Sequence, residues 1–341
     1  MGNLRLITVN NFRNHKEFVL EAEEGVTVIL GKNGAGKTNL LEAIHMLSVG
    51  RSFRADKGEE VIAYGQGLAR IKAEIDGGNL EIVVSDGTLA QTKRKFSVNG
   101  VARRMIDFVG NLRAVLFGPW DMELLDGSPG KRRNYLDMVL SQVDREYYRC
   151  LLSYEKGVRQ RNKLLGMIAE NRALRGQLMF WDKLLIKNGN YLTDKRELYV
   201  EYLNASSDGE RLQVGYDRST ISEARLEQYA NEEVLAGVTL VGPHRDDFSV
   251  FRDKKDVAKY GSRGEQRMAV LWLKMGELKF IELRSQVRPL LLLDDIFSEL
   301  DSIHRGHVMS MMEKGQVIIT AADPHLINGI AGRVIKLGGD I

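Results

Sequence analysis

The 341-residue chain contains a single cysteine, Cys150, and only 5 prolines. One thiol closes no intrachain disulfide and builds no cysteine metal site, which fits a reducing compartment. No stretch approaches the ~18 apolar residues of a transmembrane helix. The most apolar run, Pro289–Leu293, is short and ends in Asp294 and Asp295. Met1–Leu20 lacks the apolar core of a secretory signal, so a cytoplasmic protein is expected. Low-complexity linkers and internal repeats are absent. Neither sign of charge dominates: 49 Lys and Arg against 46 Asp and Glu give a net charge of +3, which permits a nucleic-acid partner without requiring one. Hydrophobic content of 43% and charged content of 28% are ordinary for a soluble globular chain with a large core.

What is present reads as α/β. Leu4–Val9 and Gly25–Leu30 have strand character, and Thr38–Leu47 helical character. Between Val61 and Val98 short strands are expected, with turn signals at Asp76-Gly77-Gly78, Asp86-Gly87 and Asn99-Gly100. From Gly130 to about Arg211 the chain is charged and helical, with long runs at Arg132–Leu152 and Leu178–Tyr202. Strand signals return at Leu212–Tyr216, Val238–Val241 and Asp247–Phe251. A helix follows over Glu265–Leu283, then buried strands at Leu290–Leu293 and Val317–Thr320. The predicted organisation is a discontinuous head, residues 1–118 and 212–341, split by a mainly helical lobe of residues 119–211.

Three segments carry chemistry. Gly31-Lys32-Asn33-Gly34-Ala35-Gly36-Lys37-Thr38 matches G-x-x-x-x-G-K-[ST] in full, with an apolar strand before it and a helix after it. Its glycines let successive backbone N–H groups turn toward phosphate oxygens, and the helix N-terminus adds partial positive charge. Lys37 is the expected contact to the β- and γ-phosphates of ATP, and the Thr38 hydroxyl a ligand for Mg²⁺. The candidate nucleotide set therefore runs from Asn33 through Thr38 to Asn39. Leu290–Leu293 leads into Asp294 and Asp295, delivering two carboxylates to a sheet edge. Asp294 is expected at Mg²⁺ and Asp295 beside the attacking water. Aspartate reaches less far than the usual glutamate, which predicts slow hydrolysis.

The third segment, Ser262-Arg263-Gly264-Glu265-Gln266-Arg267, has two readings. Locally it is a capping box, with Ser262 at the N-cap and Glu265 three residues on. The same hydroxyl, glycine and helix N-terminus also make an anion site. Since the phosphate loop serves its own nucleotide, such a site would meet the γ-phosphate on another protomer. Both readings are compatible.

These motifs, in this order, resemble the P-loop heads of the ABC-ATPase class, and within it the SMC-like DNA-repair heads. Further strings sharpen the resemblance toward bacterial recombination mediators. They are Asn10-Asn11-Phe12-Arg13-Asn14-His15, Gly50-Arg51-Ser52-Phe53-Arg54, Gly127-Ser128-Pro129-Gly130-Lys131-Arg132-Arg133, Val241-Gly242-Pro243-His244-Arg245-Asp246-Asp247 and Leu291–Asp301. The resemblance implies a weak, DNA-stimulated ATPase that pairs on binding ATP. It also implies binding to double-stranded DNA at gaps and gap junctions, and work with the partners RecR and RecO in loading recombinase. By the same resemblance Ser262 and Gly264, with Glu265 and Gln266 beside them, contact ATP in trans. Asp301 lies in a dimer-interface loop, and Arg13 contacts the nucleotide.

Some positions depart from the wider class. Ala322 stands where transport ATPases carry a switch histidine, and Phe117-Gly118-Pro119-Trp120-Asp121 occupies the place of a glutamine loop. Both departures argue against transporter-type coupling. A nuclease-coupled ATPase would need an appended acidic nuclease domain, and with the sequence ending at Ile341 none is expected. Basic clusters at Lys93-Arg94-Lys95, Arg103-Arg104, Lys131-Arg132-Arg133 and Arg159, Arg161 and Lys163 suit phosphate or a solvated face equally. His244 lacks companion ligands at metal spacing, so a turn hydrogen bond is expected of it.

Overall fold

A computed structural model describes residues 2–88, 93–206, 211–298, 302–313 and 315–338, with only the backbone at 302 and 303. The chain forms two compact units, Met1–Asp121 with Leu271–Ile341, and Met122–Val270.

Among the described residues, the discontinuous unit holds eight strands before the second unit begins. They are β1 (Leu4–Phe12), β2 (His15–Glu21), β3 (Val26–Gly31), β4 (Leu68–Ile75), β5 (Gly78–Ser85), β6 (Arg94–Val98), β7 (Val101–Arg103) and β8 (Ala114–Phe117). The second unit contributes β9 (Leu212–Asp217), β10 (Asp247–Arg252) and β11 (Lys255–Asp256). The chain then returns with β12 (Leu290–Asp294), β13 (Val317–Ala321) and β14 (Arg333–Leu337).

Two sheets build the first unit: an antiparallel one in the order β2-β1-β4-β5-β6-β7 and a parallel one in the order β14-β3-β13-β12-β8. In β4, Ala69, Ile71, Ala73 and Ile75 are buried while Arg70, Lys72 and Glu74 face water, the period-two pattern of a sheet with one wet face. β12 and β13 are buried at every position, as expected where both faces of a parallel sheet are covered. The Lys37–Val49 helix joins the sheets. Its Leu40, Leu41, Ile44 and Leu47 share one core with Ile7, Ile71 and Ile82 on one side and Ile29, Leu292 and Ile318 on the other. Asn99 and Gly100 take φ of 52° and 76° between β6 and β7, the conformation a two-residue hairpin requires.

The second unit is built on the Pro129–Ser141, Arg145–Ala169 and Met179–Ala205 helices and the sheet β11-β10-β9. The predicted Arg132–Leu152 run is two helices. The first ends at Ser141 and Asp144 caps the next, accepting from the Tyr147 N–H at 2.8 Å. Buried Arg196 binds Asp137 at 2.8 Å, Asp246 at 2.9 Å and the Pro243 carbonyl at 2.7 Å. This charged core fixes the Gly242–Asp247 turn, where Tyr154 Oη and the Thr239 carbonyl hold the two nitrogens of His244, at 2.8 and 3.0 Å.

Two expectations are corrected here. The chain re-enters the head at Leu271, not at residue 212, because β9 pairs with β10 and β10 with β11, and none of the three joins a head sheet. Val238–Val241 is not a strand. The Thr239 N–H donates to Asn162 Oδ1 and the Leu240 N–H to Glu233 Oε1, both at 2.8 Å, so helix side chains satisfy its backbone in place of a partner strand.

Candidate nucleotide site

The site grows from the ends of three neighbouring parallel strands. Register places Asp294 of β12 beside Thr320 of β13, and Thr320 beside Ile29 of β3, so the loop after β3 and the carboxylates after β12 open on the same edge. Gly34 and Gly36 adopt φ of 85° and 99° in the turn between β3 and the helix. A Cβ at Gly36 would also lie 2.5 Å from Asn14 Oδ1 and 2.6 Å from His15 Nε2, so glycine is required there twice over. Asn14 and His15 support the loop from outside. Asn14 Nδ2 donates to the Gly34 carbonyl at 3.3 Å, His15 Nε2 lies 3.0 Å from the Gly36 carbonyl, and Asn39 Nδ2 donates to Asn14 Oδ1 at 2.7 Å.

The Lys37 ammonium donates to the Gly31 and Lys32 carbonyls at 2.6 and 3.2 Å, arched over the loop it follows. The Thr38 hydroxyl donates to Asp294 Oδ2 at 2.7 Å, across 256 positions of sequence. Thr320 donates to Asp294 Oδ1 at 2.6 Å, fixing the rotation of that carboxylate. Asp295 follows with φ of 49° and its N–H on Thr320 Oγ1 at 3.1 Å, so the backbone turns sharply as it leaves the strand. Lys37, Thr38, Asp294 and Asp295 therefore meet at one edge.

Arg13 is brought to the same helix by a residue the sequence reading passed over. Glu42 is fully buried and accepts from Arg13 at 2.7 and 3.0 Å, from Arg54 at 2.6 and 3.0 Å, and from Ser52 at 2.5 Å. Arg54 also donates to Asn39 Oδ1. Burial pushes the Glu42 carboxyl up, but the hydrogen bonds from Arg13, Arg54 and Ser52 outweigh it and hold the group below the usual carboxylate range. The signal was an acid set in the apolar run Leu40-Leu41-Glu42-Ala43-Ile44. Its partners are distant in sequence.

One turn on, His45 is buried with Nδ1 unpartnered among the described residues. Burial, with Lys274 and Arg51 adding to it, lowers its pKa from 6.5 to about 3. A histidine depressed in the folded state contributes stability that is complete above pH 6.5 and is lost as pH falls toward 3, on the order of 5 kcal/mol for a shift of this size. Urea midpoints of His45→Leu should therefore fall less steeply than wild type between pH 6.5 and 4. Parallel curves would place the acid sensitivity elsewhere.

The Ser262 segment belongs to the second unit. Its capping box is formed: the Ser262 N–H and hydroxyl donate to Glu265 Oε2 at 2.8 and 2.9 Å, and the Glu265 N–H returns to Ser262 Oγ at 3.3 Å. Gln266 Nε2 donates to the Val257 and Ala258 carbonyls. Ser262, Arg263 and Gly264 are exposed, at the start of a 23-residue helix, Arg263–Ser285. Asp301 lies outside the described residues. Among the basic clusters, Arg132 is bound to Asp247 at 2.5 Å and buried Arg161 to Asp182 and Glu233, both at 2.7 Å. Those two arginines serve the fold of the second unit.

A phosphate loop between a parallel and an antiparallel sheet, its threonine on an acidic strand end, defines an SMC-like head of the ABC-ATPase class. The RecF/RecN/SMC N-terminal domain family matches residues 3–337. Two curated relatives, each a DNA replication and repair protein RecF, share 38% identity (Herpetosiphon aurantiacus; 93% of this chain and 92% of that one) and 34% (Moorella thermoacetica; 95% and 91%). The solved structure of the recombination mediator protein RecF-ATP of the RecFOR pathway superposes with a TM-score of 0.88 at 32% identity, covering 98% of this chain and 95% of that one. An SMC head bound to the C-terminal winged-helix domain of ScpA, at 15% identity and a TM-score of 0.53, shares the fold. The chain belongs to the RecF family of DNA replication and repair proteins.

Proposed function

We propose that the protein is an ATP-driven clamp of recombinational DNA repair. Each head binds Mg-ATP through its phosphate loop, two heads pair around two nucleotides, and the pair holds double-stranded DNA at gaps and gap junctions. The contact that carries this reading is Thr38 on Asp294, which closes the loop onto the acidic strand end. Membership in the RecF family and likeness to the RecF-ATP structure support it.

The loop N–H groups of Asn33–Thr38 and the Lys37 ammonium would bind and orient the phosphates, with Asn39 and Arg13 at the margin. The residues present fit Mg²⁺: a hydroxyl and a carboxylate already in contact, both hard oxygen donors, with phosphate oxygens to complete the set. Thr38 and Asp294 would hold the ion, which when bound neutralises phosphate charge. Asp295 would orient the attacking water, and its short side chain favours slow turnover that releases the pair. Ser262, Gly264, Glu265 and Gln266 would complete the partner's site in trans, with Asp301 in the interface loop. The capping box supports that role, because it orders the exposed hydroxyl and the free N–H groups of the helix start. In the cytoplasm the clamp would act with RecR and RecO to help load recombinase.

Ser262→Arg should leave nucleotide binding by the monomer intact and abolish the doubling of mass in solution with Mg²⁺ and a non-hydrolysable ATP analogue. A Ser262→Arg protein that still doubles would refute the trans site.

A further inference from the structure

Asn-Gly occurs four times in the chain, at Asn33-Gly34, Asn99-Gly100, Asn188-Gly189 and Asn328-Gly329. Asparagine is among the thermally labile residues, and a following glycine exposes it most, because the next backbone nitrogen is then unshielded by a Cβ. The structure protects two of the four. Asn188 is buried inside the Met179–Ala205 helix, where its Nδ2 donates to Ser153 Oγ at 3.1 Å and the Gly189 N–H belongs to the helical ladder. Asn99 has its side chain held by the Asn79 N–H, which donates to Oδ1 at 2.7 Å.

The other two are alike and open. Asn33 and Asn328 are both exposed, and neither side chain makes a hydrogen bond among the described residues. Each is the second residue of a hydrogen-bonded turn with glycine third. The Ala35 N–H donates to the Lys32 carbonyl at 3.1 Å with Gly34 at φ 85°, and the Ile330 N–H donates to the Ile327 carbonyl at 3.0 Å with Gly329 at φ 88°. Beyond the adjoining residues, no atom lies within 4 Å of the place a Cβ would occupy on either glycine. What separates the two sites is their setting. Asn328 lies in the connection from β13 to β14, whereas Asn33 is in the phosphate loop, whose N–H groups turn toward phosphate oxygens.

We propose that Asn33 is a self-modifying position that ages the nucleotide-free protein. The Gly34 nitrogen attacks Asn33 Cγ. The new N–C bond replaces the Cγ–Nδ2 bond, and the Gly34 proton leaves with ammonia. Water then opens the cyclic imide. Cleavage at Cγ gives aspartate, and cleavage at the backbone carbonyl carbon gives isoaspartate. Either product sets a carboxylate in the loop that receives the phosphates, and isoaspartate also inserts an extra carbon into the backbone there. Bound ATP blocks the first step, because a Gly34 N–H that donates to a phosphate oxygen keeps its proton and cannot swing onto Cγ. The protection rests on the nucleotide reading above; the modification does not.

The test ages the full chain at mildly alkaline pH, alone or with Mg²⁺ and a non-hydrolysable ATP analogue at ~100 times its Kd, and follows all four sites by peptide mass mapping. Calorimetry checks that the analogue binds. Without nucleotide, Asn33 and Asn328 should convert while Asn99 and Asn188 stay intact. The analogue should slow Asn33 about 10-fold or more, since only unliganded chains react, and leave Asn328 as it was. An Asn33 as stable as Asn99 would overturn the proposal. So would an analogue that binds without protecting Asn33, or that slows Asn33 and Asn328 equally. Asn33→Asp should bind ATP about 10-fold or more weakly than wild type, and chains of the aged sample retained on immobilised ATP should be depleted of the modified Asn33 peptide. Modified chains retained as well as unmodified ones, or an Asn33→Asp affinity equal to wild type, would refute the loss of binding. If thermal melting shows that Asn33→Asp does not fold, the retention measurement decides alone. If the analogue does not bind wild type, the nucleotide reading fails and the protection with it, while the nucleotide-free arm still decides the modification.

Discussion

Lys37→Met should abolish productive nucleotide use, with at least a ~30-fold loss of ATP affinity. The Lys37 side chain is buried and its ammonium bridges two loop carbonyls, so it is held in place before any phosphate arrives. Removing one partner of a buried, hydrogen-bonded charge contact costs about 2–5 kcal/mol, which is ~30-fold to several thousand-fold in a binding constant. Methionine keeps the length and apolar stem of the side chain, and the Thr38–Asp294 contact does not pass through Nζ. The fold should therefore survive, with a melting temperature within a few degrees of wild type. Calorimetric titration with ATP and Mg²⁺ is the direct measurement. Affinity within threefold of wild type would remove Lys37 from the phosphate site.

Glu42→Leu should destabilise the head by about 3–5 kcal/mol, because it leaves two guanidinium groups without their shared buried anion. Glu42→Gln should cost less, since the amide oxygen still accepts from one arginine, but it cannot accept from Arg13, Arg54 and Ser52 together. The sign with pH follows from the depressed carboxyl. Its stabilisation is complete above the ordinary glutamate range, near 4.5, and is lost as pH falls below that. Denaturant titrations at pH 7.5 measure both substitutions. A loss under 1 kcal/mol for Glu42→Leu would mean that Arg13 and Arg54 find other partners and that the carboxylate is dispensable.

The contrast between Lys37 and Glu42 indicates what a sequence makes legible. The phosphate loop is eight consecutive residues whose chemistry and flanking elements are local, so the strand, turn and helix could be read directly, and the same holds for Asp294 at the end of an apolar run. Glu42 acquires its role only when Arg13 and Arg54 fold back onto it from either side, a juxtaposition no local pattern encodes. The unit boundary was misread for a related reason. β9 and β10 look like any strands, and nothing in them states that they pair with each other instead of with the head. Val238–Val241 has the composition of a strand, but its N–H groups are taken by Asn162 and Glu233, whose approach depends on the packing of long helices. Lys131-Arg132-Arg133 reads as one basic patch, yet Arg132 is consumed internally by Asp247, 115 positions away.

The order of strands in the parallel sheet also governs when the nucleotide site comes into being during synthesis. β3, which carries the phosphate loop, has β13 and β14 as its neighbours, and Val28 is matched with Ile319. A ribosome adding ~5–20 residues per second needs on the order of 15–60 s to travel between those two positions. For all of that interval the loop strand has neither hydrogen-bonding neighbour, and the second unit, contiguous from Met122 to Val270, is made in full before the interval ends. The nascent chain thus gains its lobe before its nucleotide site, and premature termination between Val270 and β13 yields a polypeptide with every loop residue present and neither of the strands that flank β3.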